Sequence, residues 1–127
     1  MDINLDSYQI LDKFNVSRET YHILDEFREL VLHKNKEINL IGAKTINNFV
    51  ERHIVDCAQA IDFIDKNTGS LIDLGSGAGF PGLIIAILAK DRKINLKVKL
   101  IEKSPKKASF LREIVNYLNL NVEVLNI

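Results

Sequence analysis

The run from Leu71 to Gly82 constrains the fold of this chain more than any other part of the sequence. It reads Leu-Ile-Asp-Leu-Gly-Ser-Gly-Ala-Gly-Phe-Pro-Gly, so an apolar stretch that contains one acid leads into four closely spaced glycines. An apolar helical pattern over residues 83–89 follows, with Pro81 suited to its first turn. A strand, a glycine loop and a helix in this order bind nucleotide-like ligands at the helix N-terminus. Glycine suits such a loop because the backbone turns sharply and approaches the ligand without a Cβ.

Two classes of ligand fit this loop. The segment Gly77-Ala-Gly-Phe-Pro-Gly82 matches the dinucleotide pattern G-x-G-x-x-G, and Glu102 follows at a distance that suits ribose hydroxyls. One frame earlier, Asp73-x-Gly-x-Gly-x-Gly79 is typical of S-adenosylmethionine-dependent methyltransferases. A carboxylate beside the loop repels a pyrophosphate but attracts a sulfonium and an ammonium group. We therefore favour the methyl donor over a dinucleotide, and both over a glycine turn that binds nothing.

The remaining sequence alternates between helical and strand patterns. Predicted helices cover 4–14, 18–35, 45–65, the segment after the glycine loop and about 105–119, and predicted strands cover 71–74, 97–102 and 122–127. The order β-α-β-α-β after a helical N-terminal part predicts an α/β fold with a parallel sheet and right-handed crossovers. We divide this single compact domain into a helical part, 1–66, and a partial Rossmann-like part, 67–127. Ligands bind at the carboxyl ends of such strands, where Asp73 and Glu102 fall.

Charge is distributed unevenly along a chain whose formal net charge is zero. Residues 1–30 hold seven acids and three bases, whereas residues 90–113 hold nine bases and three acids. Such asymmetry is typical of a surface that binds RNA or another polyanion. An ordinary solvated surface explains it equally well, so charge alone leaves both interpretations open.

The cysteine and histidine content sets further expectations. A single Cys57 forms no intrachain disulfide, and together with His22, His33 and His53 it does not suggest a metal site. The acidic start of the chain does not resemble a signal peptide, and the uncharged apolar run around 80–89 is too short for a membrane span. We expect a cytoplasmic protein that binds no metal and no membrane.

Four sequence blocks along the chain form a recognisable set. They are Asn39-Leu40, Arg52-His-Ile-Val-Asp56, Asp73–Gly82, and Glu102-Lys-Ser-Pro-Lys-Lys107 with Phe110-Leu-Arg112. Together they resemble the RsmG (GidB) family of bacterial methyltransferases, which methylate N7 of a guanine in 16S ribosomal RNA. The resemblance covers nearly the whole chain, and its most specific parts are the Gly-Phe-Pro-Gly end of the loop and the His-Ile-Val-Asp segment upstream. The resemblance implies a Rossmann-like class I methyltransferase fold, S-adenosylmethionine as methyl donor, and 16S ribosomal RNA or the small ribosomal subunit as partner.

The resemblance also assigns expected roles to individual residues. For the methyl donor these residues are Asp73, Gly75, Gly77 and Gly79 at the methionine end, Phe80 as a cover over it, and Glu102 at the ribose. The candidates for RNA phosphates are Arg52, His53, Lys103, Lys106 and Lys107. Two alternatives stay open: Glu102 as a surface acid that caps the lysine-rich helix, and His53 as a core histidine on the apolar stripe of its helix.

Methylation of guanine N7 requires little acid–base catalysis. Guanine N7 is an unprotonated lone pair, so no base has to remove a proton before methyl transfer. The enzyme mainly has to hold N7 in line with the methyl group, which is an effect of orientation. We therefore nominate no catalytic base.

The chain departs from the family pattern at its C-terminal end. Family members continue for several dozen residues past the third strand, so we expect an incomplete sheet of about three strands and a cofactor cleft that lacks one wall. We interpret the chain as a shortened member, from a split or decayed gene, whose missing C-terminal piece is a possible partner. Alone it should bind the donor weakly or not at all. The alternatives are an RNA-binding remnant without catalysis and a fragment of a dinucleotide-binding oxidoreductase.

Overall fold

A computed structural model describes residues 5–65, 67–75 and 77–127, with the backbone alone for residues 5–7 and 45. A 3-10 helix, Leu5–Phe14, precedes α1, and a short 3-10 turn, Ala43–Thr45, follows it. We call the composite helical segment 50–63 α2. The other elements are α1 (Arg18–Lys34), β1 (Ser70–Leu74), α3 (Gly82–Asp91), β2 (Lys97–Ile101), α4 (Pro105–Leu118) and β3 (Val122–Leu125).

The strands form the parallel three-stranded sheet that the sequence predicts, in the order β1-β2-β3. Asp73 of β1 lies opposite Leu100 of β2, which lies opposite Val124 of β3. Each crossover therefore steps in the same direction, and right-handed connections place α3 and α4 on the same face of the sheet. This arrangement confirms the Rossmann-like α/β prediction.

Helix α3 lies at the centre of the core. Every residue from Gly82 to Ala89 is buried, because α3 packs on the sheet through one side and contacts α1 and α2 through others. A helix that is enclosed in this way has no polar face, which explains its continuous apolar sequence. The helical N-terminal part thus forms a layer over α3 and α4, on the side away from the sheet.

Polar side chains connect these layers. Ser17 caps α1 as the sequence predicts, and its hydroxyl and that of Thr20 both donate to the Asp91 carboxylate at the end of α3. The buried Asp25 of α1 accepts from the Tyr8 hydroxyl at 2.7 Å and from Arg28 Nε at 2.8 Å. These hydrogen bonds satisfy a carboxylate that burial would otherwise penalise.

The helix predicted over 45–65 is present over 50–63, but it is not a single regular α-helix. Segment α2 is a π-helical turn, Val50–Val55, then α-helix, Asp56–Ala58, then 3-10 helix, Gln59–Phe63. Its apolar side is nonetheless buried, with Ile54 and Ile61 fully inaccessible. The burial pattern was therefore predicted correctly, but the hydrogen-bonding pattern that carries it was not.

The two helices of the sheet region begin close to the predicted residues. Ser104 caps α4 by accepting from the backbone N–H of Lys107, and Pro105 occupies the first turn, as predicted. Helix α3 begins at Gly82, so Pro81 lies one residue before the first turn rather than within it. The glycine loop thus runs directly into α3.

Candidate functional site: the glycine loop and its two acids

Asp73 lies at the carboxyl end of β1 and is 8% exposed. Its Oδ2 accepts a hydrogen bond from the backbone N–H of Gly82 at 2.9 Å. A Cβ on Gly82 would lie 2.8 Å from that oxygen and 2.4 Å from Leu100 Cδ2. Gly82 is therefore required because the start of α3 packs directly against the side chains of β1 and β2.

The other glycines of the loop serve its backbone conformation. Gly75, Gly77 and Gly79 have φ values of +70°, +55° and +100°, in the left-handed region that L side chains rarely adopt. Built Cβ atoms on Gly75 and Gly77 would meet nothing within 4 Å, whereas one on Gly79 would meet Leu83 at 2.5 Å. The loop thus turns sharply and keeps an open side along Gly75 and Gly77.

Glu102 follows β2 directly and is 7% exposed. Its Oε1 accepts from the backbone N–H of Gly77 at 2.8 Å, and its Oε2 accepts from the N–H of Ser104 at 2.6 Å. The surface position that the alternative gives to Glu102 is wrong, because the carboxylate is buried, but its contact with the start of α4 is present. The carboxylate also joins that helix to the glycine loop. Two hydrogen bonds occupy about half of the roughly four lone-pair sites of a carboxylate.

Phe80 belongs to an aromatic cluster that closes one end of the loop. The His53 ring stacks on Phe80, with centroids 4.5 Å apart and planes 11° from parallel. Phe27 and Phe49 contact Phe80 edge-on, each at 5.7 Å. The cluster joins α1 and the segment before α2 to the glycine loop, and it fixes the position of Phe80.

This stacking bears on the predicted role of His53. Burial lowers the pKa of His53, and the nearby Asp56 carboxylate opposes that effect only in part. Its half-buried ring is therefore largely neutral at pH 7 and packs on Phe80, as the core-histidine alternative expects of a packing residue, while a phosphate contact stays a prediction. Arg52, its neighbour, is exposed.

The lysines at the start of α4 face solvent. Lys103 and Lys106 are exposed and Lys107 is half-buried, and no ion pair within the described part of the chain engages them. Lys106 and Lys34 line a groove of about 480 Å³ between the C-terminal end of α1 and the first turn of α4. The structure thus places these lysines beside the end of β2 that carries Glu102.

The sequence did not reveal how the aromatic cluster and the acids are held. Phe49 and His53 stand four residues apart in the apolar pattern, which was the available signal that their rings share a face. Their contact with Phe80, and the hydrogen bonds of Glu102 to Gly77 and Ser104, join segments that are distant along the chain. Such contacts leave no local signature.

The Cys57 thiol does not provide a reactive nucleophile near the glycine loop. Burial raises the pKa of the Cys57 thiol to about 12, and the carboxylates of Asp56 and Asp73 add to the shift. The thiol is therefore protonated and a poor nucleophile at pH 7.

Over the described residues no three His, Cys, Asp or Glu side chains form a group that could hold a metal ion. The described helices include none with the length and hydrophobicity of a membrane-spanning helix.

The family model and the relatives that match this chain all point to the same family. Residues 20–127 match the GidB family model, described as rRNA small subunit methyltransferase G. A protein with the corresponding name, ribosomal RNA small subunit methyltransferase G, from Pelagibacter ubique is 46% identical over 121 residues, which cover 94% of this chain and 57% of that protein. Proteins of the same name from Jannaschia sp. and Rickettsia akari are 44% and 41% identical, each over 87% of this chain and over 53% and 56% of their own lengths.

The chain therefore spans about half the length of the curated relatives that it matches. The matched part includes the glycine loop, both acids and the sheet. On this evidence the chain belongs to the GidB family of rRNA small subunit methyltransferases.

Proposed function

We propose that this chain supplies the S-adenosylmethionine-binding part of an enzyme that methylates N7 of a guanine in 16S ribosomal RNA in the cytoplasm. The observation that carries the proposal is the pair of buried carboxylates, Asp73 and Glu102, at the carboxyl ends of neighbouring parallel strands on either side of the glycine loop. Ligands of open α/β sheets bind at that edge. The names of the relatives support ribosomal RNA as the substrate class.

The charge of Asp73 supports S-adenosylmethionine over a dinucleotide. Its carboxylate lies at the start of α3, where a dinucleotide would place its pyrophosphate. Two negative charges at close range in a partly buried site repel strongly, whereas a sulfonium or ammonium group is attracted. The residues present therefore fit the methyl donor, whose bound form supplies an electrophilic methyl group on a positively charged sulfur.

The loop and Glu102 supply the remaining parts of the proposed site. Gly75 and Gly77 offer a backbone edge without side chains, and Glu102 fixes the shape of that edge through Gly77. The lone-pair sites of Glu102 that these hydrogen bonds leave over are suited to ribose hydroxyls. Phe80, held by the stacked His53 ring, closes the end of the loop that we assign to the methionine moiety.

Methylation at N7 requires no catalytic base. The nitrogen attacks through its own lone pair, so the protein has to orient the base and exclude water rather than accept a proton. The Cys57 thiol is protonated and a poor nucleophile at pH 7, which agrees with a site built for positioning. For RNA phosphates we propose the exposed cations Arg52, Lys103 and Lys106 together with the half-buried Lys107, and we assign His53 to the support of Phe80.

The test uses 16S RNA transcripts and a labelled methyl donor, with this chain joined to the part of the Pelagibacter ubique relative outside the matched region. We expect methyl incorporation into ordinary transcripts, none into transcripts made with 7-deazaguanosine, which lacks N7, and a loss of at least about 100-fold in the Asp73→Ala variant. Equal incorporation into the 7-deaza transcript would show that another atom is methylated.

A second candidate follows from the basic segment 90–113, which favours an RNA-binding protein without catalysis. Salt-sensitive binding of the same transcripts by the joined protein, with no methyl incorporation, would select this candidate instead. A gain in nicotinamide fluorescence on mixing with NADH would select the dinucleotide alternative.

A further inference from the structure

A cavity of about 300 Å³ lies in the helical N-terminal part, between the 3-10 helix Leu5–Phe14, α1 and the segment 46–51. Its volume falls at the lower end of the range that small-ligand sites span, about 300–1,000 Å³. The described residues that line it include none from the glycine loop, and neither Asp73 nor Glu102 lines it. This N-terminal cavity is therefore separate from the site that we propose for the methyl donor.

One wall of the N-terminal cavity is a fixed polar cluster of Tyr8, Asp25 and Arg28. The buried Asp25 carboxylate accepts from the Tyr8 hydroxyl and from Arg28 Nε, and Arg28 Nη2 donates to Asp25 and to Glu29. Among the described residues no hydrogen bond engages Nη1 of Arg28. The cluster thus holds a guanidinium in place and leaves its two Nη1 hydrogens for a ligand.

The rim of the cavity adds polar groups that are also available to a ligand. Asn47, Asn48 and Glu51 are exposed, and within the described part of the chain their side chains take part in no hydrogen bond. The half-buried Ile46 and Val50 line the cavity between these groups and provide an apolar surface. A flat ring with donors and acceptors along its edge suits such a lining.

The charges around the cavity select against a phosphate group. Asp25 and Glu51 each carry a negative charge and Arg28 carries one positive charge, so the lining is net negative. A phosphate would be repelled at close range, in contrast to the lysines at the start of α4. The cavity therefore fits a neutral ligand better than an anion.

A guanidinium and a carboxylate that line one cavity are complementary to the edge of a guanine base. Guanine presents the acceptor O6 beside its N1–H and N2–H₂ donors, so Arg28 Nη1 is suited to O6 and the Glu51 carboxylate to the two donors. Adenine presents a different pattern, an amino donor beside a ring acceptor. Unstacked bases of single-stranded RNA expose these edges, and proteins read them by such hydrogen bonds.

We propose that the N-terminal cavity binds an unstacked guanine base other than the one that is methylated. Phe49 connects the two places, because it lines the cavity and its ring lies 5.7 Å from that of Phe80, which we assign to the cover of the methyl donor. The choice of RNA as the source of the base rests on the proposed function. The choice of guanine rests on the cavity alone.

The test follows the backbone amide signals of residues 46–51 by NMR while GMP, IMP or AMP is added, with no methyl donor present. The measurement is made on this chain, which contains the whole cavity, and on the joined protein. We expect GMP to shift these signals and AMP to leave them unchanged. IMP lacks the N2 amino group, so it should bind about tenfold more weakly than GMP.

A second arm identifies the source of the base with the RNA pentamers UUGUU and UUUUU. We expect UUGUU to bind more tightly than GMP, and UUUUU to leave the signals of residues 46–51 unchanged. Binding of GMP as tight as that of UUGUU would overturn the assignment to RNA and identify a free guanine nucleotide as the ligand.

Glu51→Gln tests recognition rather than folding, because Glu51 is exposed. We expect it to weaken GMP binding at least about tenfold, since the amide group would present a donor to the guanine donors. Glu113→Gln, the same change at an exposed position of α4, is the matched control and should leave binding unchanged.

Three results would overturn the guanine site. They are AMP binding as tight as GMP binding, equal effects of Glu51→Gln and Glu113→Gln, and shifts of residues 46–51 on addition of spermidine but not of GMP. The last result would identify an organic cation as the ligand. Because no methyl donor takes part, each result is independent of whether the enzyme methylates N7.

Discussion

The Asp73 carboxylate and the Gly82 backbone N–H are joined by a 2.9 Å hydrogen bond that spans the glycine loop from strand to helix. The bond is buried, and it ties the end of β1 to the first residue of α3. It satisfies one of the four N–H groups that a helix start leaves without an intrahelical partner. The same acid that we assign to the methyl donor thus also fixes the helix that borders the site.

Gly82→Ala should destabilise the fold. Its Cβ would lie 2.4 Å from Leu100 Cδ2 and 2.8 Å from Asp73 Oδ2, and Leu100 is fully buried and cannot move aside freely. We expect a loss of about 1–3 kcal/mol in the free energy of unfolding, measured by urea titration. Gly69→Ala, where a Cβ would meet nothing within 4 Å, is the matched control and should change it little. Equal effects of the two substitutions would contradict the packing account.

Glu102→Gln tests the carboxylate that joins the loop to α4. Both of its oxygens accept from backbone N–H groups, of Gly77 and Ser104, but a glutamine amide offers one oxygen and one N–H₂ donor. One backbone donor would face another donor, so we expect about 1–3 kcal/mol of destabilisation in urea unfolding. Glu123→Gln, at an exposed position of β3, provides the control and should leave stability unchanged.

His53 should make stability depend on pH. Because burial lowers its pKa in the folded chain, the unfolded chain binds more protons, and the stability contributed by the neutral ring is lost as pH falls below about 6.5. His53→Phe keeps an aromatic ring on Phe80 but does not titrate. As the pH falls from roughly 8 to 5, we expect the free energy of unfolding of the original chain to decrease relative to that of this variant. A difference that is constant over this range would contradict the assignment.

The lysines at the start of α4 should control RNA affinity through charge. We expect Lys103→Ala with Lys106→Ala to weaken binding of 16S RNA transcripts and to reduce the slope of log affinity against log salt by about two. The filter-binding measurement is made on the joined protein. Lys13→Ala with Lys44→Ala removes the same charge from exposed positions in the N-terminal part and serves as the control. Equal slopes for the two double variants would show that Lys103 and Lys106, at the start of α4, do not contact the RNA.

The elements that could be predicted from the sequence are those set by local interactions. Ser17 and the Ser104-Pro105 pair mark helix starts through contacts within one turn, and the parallel direction of the strands follows from the helices that connect them. The mixed hydrogen bonding of α2 could not be predicted, because α, π and 3-10 turns keep the same apolar face buried. Sequence periodicity detects that face and not the hydrogen-bonding pattern.

The candidate site was predictable in part for the same reason. The positions of Asp73 and Glu102 follow from the ends of their strands, which the sequence marks. The contacts that hold these two acids and Phe80 could not be predicted. Gly82, Gly77 and the His53 ring reach these partners only through the packed tertiary structure.

The most direct test of the central claim is a calorimetric titration of S-adenosylhomocysteine, with NADH in parallel, into this chain joined to the unmatched part of the Pelagibacter ubique relative. The account predicts a single site for S-adenosylhomocysteine, weakened at least about 100-fold by Asp73→Ala, and no heat from NADH. Tight binding of NADH, with no response to S-adenosylhomocysteine, would contradict it.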